Sequence, residues 1–251
     1  MTTYVLITGA IGGLGLETAR GLARVGFGVI VTGRSQQAAD VVAASLGPIH
    51  LGLGLDVTSA PQAKLLVKRL EAEGIAVSVL VHNAGVLLHE PSLDAARLTL
   101  ETNLFGPIRI TQALQPFLAA ETRIVLVSSA MSALDGASKT LRRRIDSART
   151  TREVVVLADD YLASFDRVEG RGAVLPDAYS MSKALLNALA VAWSLEFPGQ
   201  VTVAVSPGWI RTRMGGASAP HSVRHGASRI VSACIAPVHS GGFYGDSSAV
   251  P

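Results

Sequence analysis

One cysteine, Cys234, occurs in 251 residues, so no disulfide can close within the chain, and a reducing compartment, the cytoplasm, is expected. Charged residues are scarce at 16% and aromatic ones at 5%, against 49% hydrophobic residues. That balance excludes a disordered tail and favours a sheet buried on both faces. Excess charge of one sign is slight: 22 Lys and Arg face 19 Asp and Glu, and the only run of three basic residues is Arg142 to Arg144. Such a field is too weak to argue for nucleic acid. Cysteine and histidine nowhere take the spacing of a metal site, so no metal is expected. Long hydrophobic runs are missing too. Ala184 to Phe197 is interrupted by Asn187, Ser194 and Glu196, short of the roughly 18 residues a membrane span needs. No basic start, apolar stretch and cleavage site precede Tyr4-Val5-Leu6-Ile7, so nothing marks the chain for export. A soluble single domain over residues 1–251 is expected.

What the sequence does contain is alternation. Tyr4 to Thr8, Gly28 to Thr32, His50 to Leu55, Val77 to His82, Arg123 to Ser128 and Val201 to Ser206 are rich in Val, Ile or Leu and read as strands. Leu14 to Val25, Pro61 to Glu73, Leu93 to Leu118 and Ala178 to Phe197 carry helical spacing, with Ser59 or Ala60 ahead of Pro61 as a helix start. Alternation of this kind builds right-handed βαβ crossovers, hence an α/β, doubly wound parallel sheet. Residues 134–175 break the rhythm, with eight basic and seven acidic residues between a strand and the helix that should follow closely. They read as a solvated insertion, since connections in such folds usually run ~2 to 6 residues.

Thr8-Gly9-Ala10-Ile11-Gly12-Gly13-Leu14-Gly15 follows the first strand and opens a helix. There a bare helix N-terminus can receive a phosphate. Gly9 permits the tight turn, Gly13 lets backbone N–H groups approach a pyrophosphate, and Gly15 lets the helix lie close on the sheet. A merely glycine-rich turn is the alternative; its place after a leading strand favours a dinucleotide. An NAD site needs a carboxylate at the end of the second strand, but Val31-Thr32-Gly33-Arg34-Ser35 has none before Asp40. Arg34 suits a 2′-phosphate, so NADP is expected unless Arg34 is an ordinary loop cation.

Tyr179-Ser180-Met181-Ser182-Lys183 sets Tyr179 and Lys183 at i and i+4 on one helix face. Chance can produce such a pair; Asn83, Asn103 and Ser129, standing in order behind the glycine turn, single it out. A free phenol has a pKa of about 10, and a neighbouring ammonium is expected to lower it. Lys183 can also donate to a ribose, and Ser129 can hold a carbonyl oxygen beside the Tyr179 hydroxyl while charge builds on it.

These motifs together resemble the short-chain dehydrogenase/reductase family, over nearly the whole chain. The glycine turn matches Thr-Gly-x-x-x-Gly-x-Gly at Thr8, Gly9, Gly13 and Gly15, with Ile11 and Leu14 inside it. Asp56 and Val57 match the segment that meets adenine, and Asn83-Ala84-Gly85 the segment that closes over the cofactor. Pro207-Gly208-Trp209-Ile210-Arg211-Thr212 resembles a cofactor loop whose threonine meets the carboxamide. The resemblance implies a Rossmann fold, NADP(H) as cofactor, and Asn103, Ser129, Tyr179 and Lys183 as the catalytic set, with Asn103 holding a relay water. Closest are the carbonyl reductases, for the Pro-Gly-Trp-x-x-Thr loop and the 50 positions from Ser129 to Tyr179. That insertion implies a monomer.

His82 stands where the family usually has a first asparagine, and a structural role is expected for it. Ile11 replaces a basic residue common in NADP-using relatives, leaving phosphate recognition to Arg34. Gly9, Gly12 and Gly15 also fit the turn of longer relatives acting on nucleotide sugars, which the length disfavours. The substrate is expected to be a small carbonyl or alcohol compound at the C-terminal strand ends, with Trp209, Met214 and Leu134 as candidate wall residues. Arg211 and Arg213 are candidates for meeting an acidic group. Reduction of a ketone or aldehyde is the leading activity. Alcohol oxidation, reduction of an activated C=C bond, and an NADP-sensing protein without turnover are the alternatives.

Overall fold

Strands of Val, Ile and Leu can be buried on both faces only if helices cover each, and the chain meets that demand. In the computed structural model, which describes residues 2–168 and 175–245, the strands are β1 (Tyr4–Ile7), β2 (Gly28–Gly33), β3 (Leu51–Gly54), β4 (Val77–His82), β5 (Leu118–Val127), β6 (Val201–Val205) and β7 (Phe243–Tyr244). All pair in parallel in the order β3-β2-β1-β4-β5-β6-β7. Strand order reverses at β1 and β4, so the connections after them leave to opposite sides and open a crevice at the C-terminal ends. Side chains alternate between two cores. Leu6, Ile30, Leu80 and Ile124 face one, while Val5, Val29, Val81, Val125 and Val203 face the other.

The valine face is covered by α1 (Gly13–Arg24), α2 (Gln36–Leu46) and α9 (Val223–Ile235). On the other face lie α3 (Ala60–Ala72), α4 (Leu93–Leu100), α5 (Gly106–Leu114) and α8 (Ala178–Glu196). Ser59 caps α3 by accepting from Gln62 N, with Pro61 in its first turn. Leu93 to Leu118 is not one helix. Between α4 and α5, Glu101–Phe105 forms a π-helical turn. Pro107 has no N–H, so the carbonyl of Asn103, four residues back, lacks its usual donor. Beyond α5 the chain enters β5 at Leu118, five residues before Arg123, where the sequence alone suggests a start.

The insertion is not simply solvated. It folds into α6 (Lys139–Asp146) and α7 (Thr151–Val168); Ile145, Val154, Leu157, Ala158 and Tyr161 on them and Ala148 between them are buried in the main core. Charges such as Arg142, Arg143, Arg152 and Asp159 lie exposed on the outer faces of these amphipathic helices. Glu196 at the end of α8 accepts from Thr151 N, and Trp193 Nε1 donates 3.0 Å to Thr151 Oγ1, which pins the start of α7 to α8. Residues 169–174 of the expected insertion, with Met1 and 246–251 of the expected domain, lie outside the described residues.

At the far edge, α2 lies hard against β3. A Cβ at Gly52 would overlap the backbone of Ala39 and Asp40, and Gln36 donates to Gly52 O (3.0 Å) and accepts from Gly54 N (2.6 Å). Gly52→Ala is therefore expected to lower the free energy of unfolding by about 1–3 kcal/mol in urea titration. Val41→Ala, on the exposed side of the same helix, should change it by less than about 0.5 kcal/mol.

Candidate active site

The turn after β1 is glycine-rich for reasons visible in its geometry. Gly9 and Gly13 take φ of 67° and 53°, the left-handed region that side chains resist. No heavy atom lies within 4 Å of a Cβ built on Gly12 or Gly13, so bare backbone faces open space. Gly15 is the opposite case: a Cβ there would overlap Gly9 O and Asn83 Nδ2. The N-cap of α1, Gly12, contributes no side-chain bond, which leaves the first N–H groups of the helix without a side-chain cap. This is a cradle of the kind that receives a phosphate group.

Thr8 and Asn83 stitch the cradle to the end of β4. Asn83 N and Ala84 N each donate 3.0 Å to Thr8 Oγ1, and Asn83 Nδ2 donates to Thr8 O (2.9 Å) and Gly9 O (3.0 Å). Gly85 follows close to Asn103: a Cβ on it would sit 3.2 Å from Asn103 Oδ1. His82 is buried, bonded through Nε2 to Thr111 Oγ1 at 2.8 Å, and pushed down to about 3 by burial. It is a neutral strut between β4 and α5 rather than a proton donor.

At the end of β2, Ile11 lies over Gly33 and Arg34 points into solvent, with no ion pair among the described residues. Asp56 marks the end of the next strand connection. Burial pushes its carboxyl up, but bonds from the Thr58 N–H and hydroxyl, with Arg34 and Arg109 nearby, outweigh burial and hold it below the ordinary value. Arg109, which the sequence reading did not single out, donates 2.9 Å to Val57 O and pairs with Glu101 at 3.0 Å.

Tyr179 and Lys183 rise from the first turns of α8, which Asp177 caps by accepting from Ser180 N at 2.9 Å. Asp-x-x-Ser ahead of an apolar run is an N-cap signal that could have found Asp177 in the sequence. Lys183 is 5% exposed and donates 2.6 Å to Val127 O at the end of β5. Its ammonium stands 5.5 Å from the centroid of the Tyr179 ring. Burial pulls Lys183 down to about 8. Tyr179 moves the other way. Burial raises its pKa, the Ser129 hydroxyl bonded to it lowers it, and the charge of Asp177 raises it again. The expectation that Lys183 makes this phenol acidic therefore needs correction: the ammonium donates to Val127 O and stands over the ring, while burial lifts the phenol above its ordinary value.

Ser129 leads into a 3-10 turn, Ala130–Ala133, and its Oγ accepts from Met131 N at 3.2 Å. Asn103, in the π turn, uses both amide hydrogens on Val86 O (2.9 Å) and Ser182 Oγ (3.0 Å), while its Oδ1 accepts from Val86 N (2.8 Å). The amide thus clamps the Val86 loop to α8, and a relay water would have to meet the main chain. Ser182, missed in the sequence, closes this network by donating 2.7 Å to Tyr179 O.

The loop after β6 starts at Pro207 and turns at Gly208 (φ 83°). Ile210 is buried, held by the backbone bonds of Trp209 and Arg211 to His221. Trp209 is 55% exposed, its Nε1 donating 2.8 Å to Gly215 O, and Met214 is exposed beside it. Thr212 Oγ1 accepts from Gly215 N. Leu134 is no wall of this mouth but a core residue, and Arg211 is taken up by Ala219 O and Pro220 O. Burial pushes the Cys234 thiol up to about 12, so it offers no nucleophile. Among the described residues no cluster of His, Cys, Asp and Glu could hold a metal ion, and no helix is long and apolar enough to cross a membrane.

Comparison with known proteins agrees with this arrangement. Carbonyl reductase (NADPH) 1 of Macaca fascicularis is 30% identical over 264 residues, covering 96% of this chain and 93% of that protein. Among solved structures, salutaridine reductase of Papaver somniferum superposes with a TM-score of 0.87 at 23% identity, over 96% of this chain and 99% of its own. Menthone neomenthol reductase of Mentha piperita gives 0.83 at 22%, over 98% and 99%. Residues 3–140 match the short chain dehydrogenase family, and with the glycine turn, the Asn83 segment and the Ser129, Tyr179 and Lys183 set in one crevice, the chain belongs to that family of oxidoreductases.

Proposed function

We propose that the protein reduces a ketone or aldehyde to the alcohol with NADPH. The observation that carries this is the Ser129 hydroxyl bonded to a half-buried Tyr179 whose pKa is raised, with Lys183 beneath, at the strand end next to the phosphate cradle. The cradle of Gly9, Gly12 and Gly13 fits a dinucleotide phosphate, and Thr8, Ile11, Leu14, Gly15, Asp56, Val57, Asn83, Ala84 and Gly85 would form the rest of the site for its adenosine and ribose. Arg34 is the available cation for a 2′-phosphate, and the relatives named for NADPH support that choice. Pro207, Gly208, Trp209, Ile210 and Thr212 would border the nicotinamide end.

When bound, the cofactor supplies a hydride to the carbonyl carbon. Ser129 donates to the carbonyl oxygen and orients it. Tyr179 delivers its proton to that oxygen as negative charge develops there. Lys183, positive below about pH 8, stabilises the phenolate left behind. The Asn103 carbonyl, freed of an i+4 donor by Pro107, would hold the water that returns a proton toward Lys183. Met131, Trp209 and Met214, large apolar side chains exposed around this point, suit an apolar carbonyl compound. The α7 helix covers α4 and α8, which removes a helical face two copies could share and favours a monomer.

Tyr179→Phe should slow reduction by roughly 10²-fold or more while NADPH binding, followed by fluorescence, stays near wild type; an unchanged rate would remove Tyr179 from the mechanism. Arg34→Ala should weaken NADPH far more than NADH, and equal losses would mean that the 2′-phosphate is read elsewhere. With pH, kcat/KM for reduction should stay level and then fall above about 8, because the lowered Lys183 loses its charge there while the raised Tyr179 keeps its proton. Lys183→Met should lower the plateau and abolish that fall; a fall that persisted would belong to another group. Sedimentation should give a monomer, and a stable tetramer would contradict the covering role of α7.

A further inference from the structure

The Ser129 hydroxyl is useful only if the short 3-10 turn that it begins keeps one position against α8. The turn packs on α8 along one side. Toward its far end a half-open cleft of about 320 Å³, bordered by Ser132, Leu134, Ile145, Ala188 and Phe243, runs between the turn and α8, so packing alone does not fix that end. Its far end is strained: Leu134 adopts φ 53° and ψ 51°, and is the only non-glycine residue with positive φ among the described residues. Such a conformation persists only where the surroundings impose it.

Besides the Ser129–Tyr179 bond, a second side-chain bond among the described residues runs from α8 to the turn. Asn187 Nδ2 donates 2.9 Å to Ser132 Oγ. Ser132 N in turn donates 3.1 Å to Ser129 O, so two consecutive bonds link Asn187 to Ser129. The spacing on both elements serves this link. Residues three apart eclipse one another in a 3-10 turn, which puts Ser129 and Ser132 on one edge. Tyr179, Lys183 and Asn187 follow at intervals of four along one stripe of α8. Ser129 is the extended N-cap of the turn, and it is the bond from Ser132 N that holds it to Ser132; the Ser132–Asn187 and Ser129–Tyr179 pairs are thus two rungs between the same two elements. Asn187 also carries a cost, since its Oδ1 is buried without a partner among the described residues. An apolar side chain would avoid that cost but could not hold Ser132.

We propose that Asn187 is a positioning residue: through Ser132 it fixes the 3-10 turn at the register that aims the Ser129 hydroxyl at Tyr179. The proposal rests on Ser129 and Tyr179 being the reacting pair. Asn187 itself touches neither substrate nor cofactor; it acts through Ser129.

The test is a set of kinetic cycles on the full chain, with NADPH and an aromatic aldehyde. Asn187→Ala and Ser132→Ala should each lower kcat about tenfold, because small displacements of a reacting group are costly, while the fluorescence-measured Kd for NADPH stays the same. In a Ser129→Ala background neither change should lower kcat further, since the residue being positioned is already gone. Ser132→Thr, which keeps the hydroxyl, should recover most of the loss seen with Ser132→Ala. A wild-type kcat in both alanine variants, or losses that multiply undiminished with Ser129→Ala, would overturn the proposal. If Ser129→Ala alone leaves kcat unchanged, the reacting pair is misidentified, a failure distinct from that of Asn187. Should Asn187→Ala lose NADPH binding through misfolding, Ser132→Ala on the half-buried turn decides the matter.

Discussion

Burying an ammonium is the constraint on which this site turns. Lys183 lies near the start of a helix whose residues are mostly buried, and its ammonium is compensated by the carbonyl of Val127 and the face of the Tyr179 ring. That bond ties α8 to the end of β5, where Ser129 begins its turn. The same bond sets the chemistry. A lysine so placed gives up its proton more readily than one in water, and it faces the ring of Tyr179 rather than seizing its hydroxyl. The phenol is left bonded to Ser129 and protonated. In the proposed mechanism tyrosine, serine and lysine divide the work of donor, orienter and charge because one of them is anchored elsewhere.

The six longer strands are legible from their Val, Ile and Leu content, and the proposed catalytic residues are picked out by their spacing. What escapes the sequence does so for physical reasons. In α2 only Ala39 and Ala43 are buried, and α9 buries Gly226, Ala227 and Ala233 beside Ile230 and Cys234. Small residues that let a helix lie close to the sheet leave no periodic signal of large apolar side chains. Two-residue β7 is too short to register at all. The insertion misleads differently: its charges are conspicuous, while Ile145, Val154, Leu157 and Tyr161 are spread among them. In the site itself, the identities of Thr8, Asn83 and Asn103 are readable, but the bonds they make join residues some 75 positions apart, as with Asn83 and Thr8. The direction of the Lys183 ammonium depends on a main-chain carbonyl, and a main-chain carbonyl has no letter in the sequence.

The two halves of the fold are fastened by polar side chains acting on backbone. Thr8 and Asn83 join β1 to β4 beside the cradle, Asn103 joins the Val86 loop to α8, and Arg109 joins α5 to the Val57 segment. Each fastening sits at the C-terminal edge of the sheet, where the strands end and apolar packing thins.

The far side of the molecule shows the same device in another use. At β3, the outermost strand, the amide of Gln36 both gives and takes a hydrogen bond as a next strand would, at Gly52 and Gly54. Two of the outward-facing groups of that edge are therefore already occupied. A second molecule that met this border would find its template for stacking edge to edge interrupted, which disfavours the addition of a strand at β3.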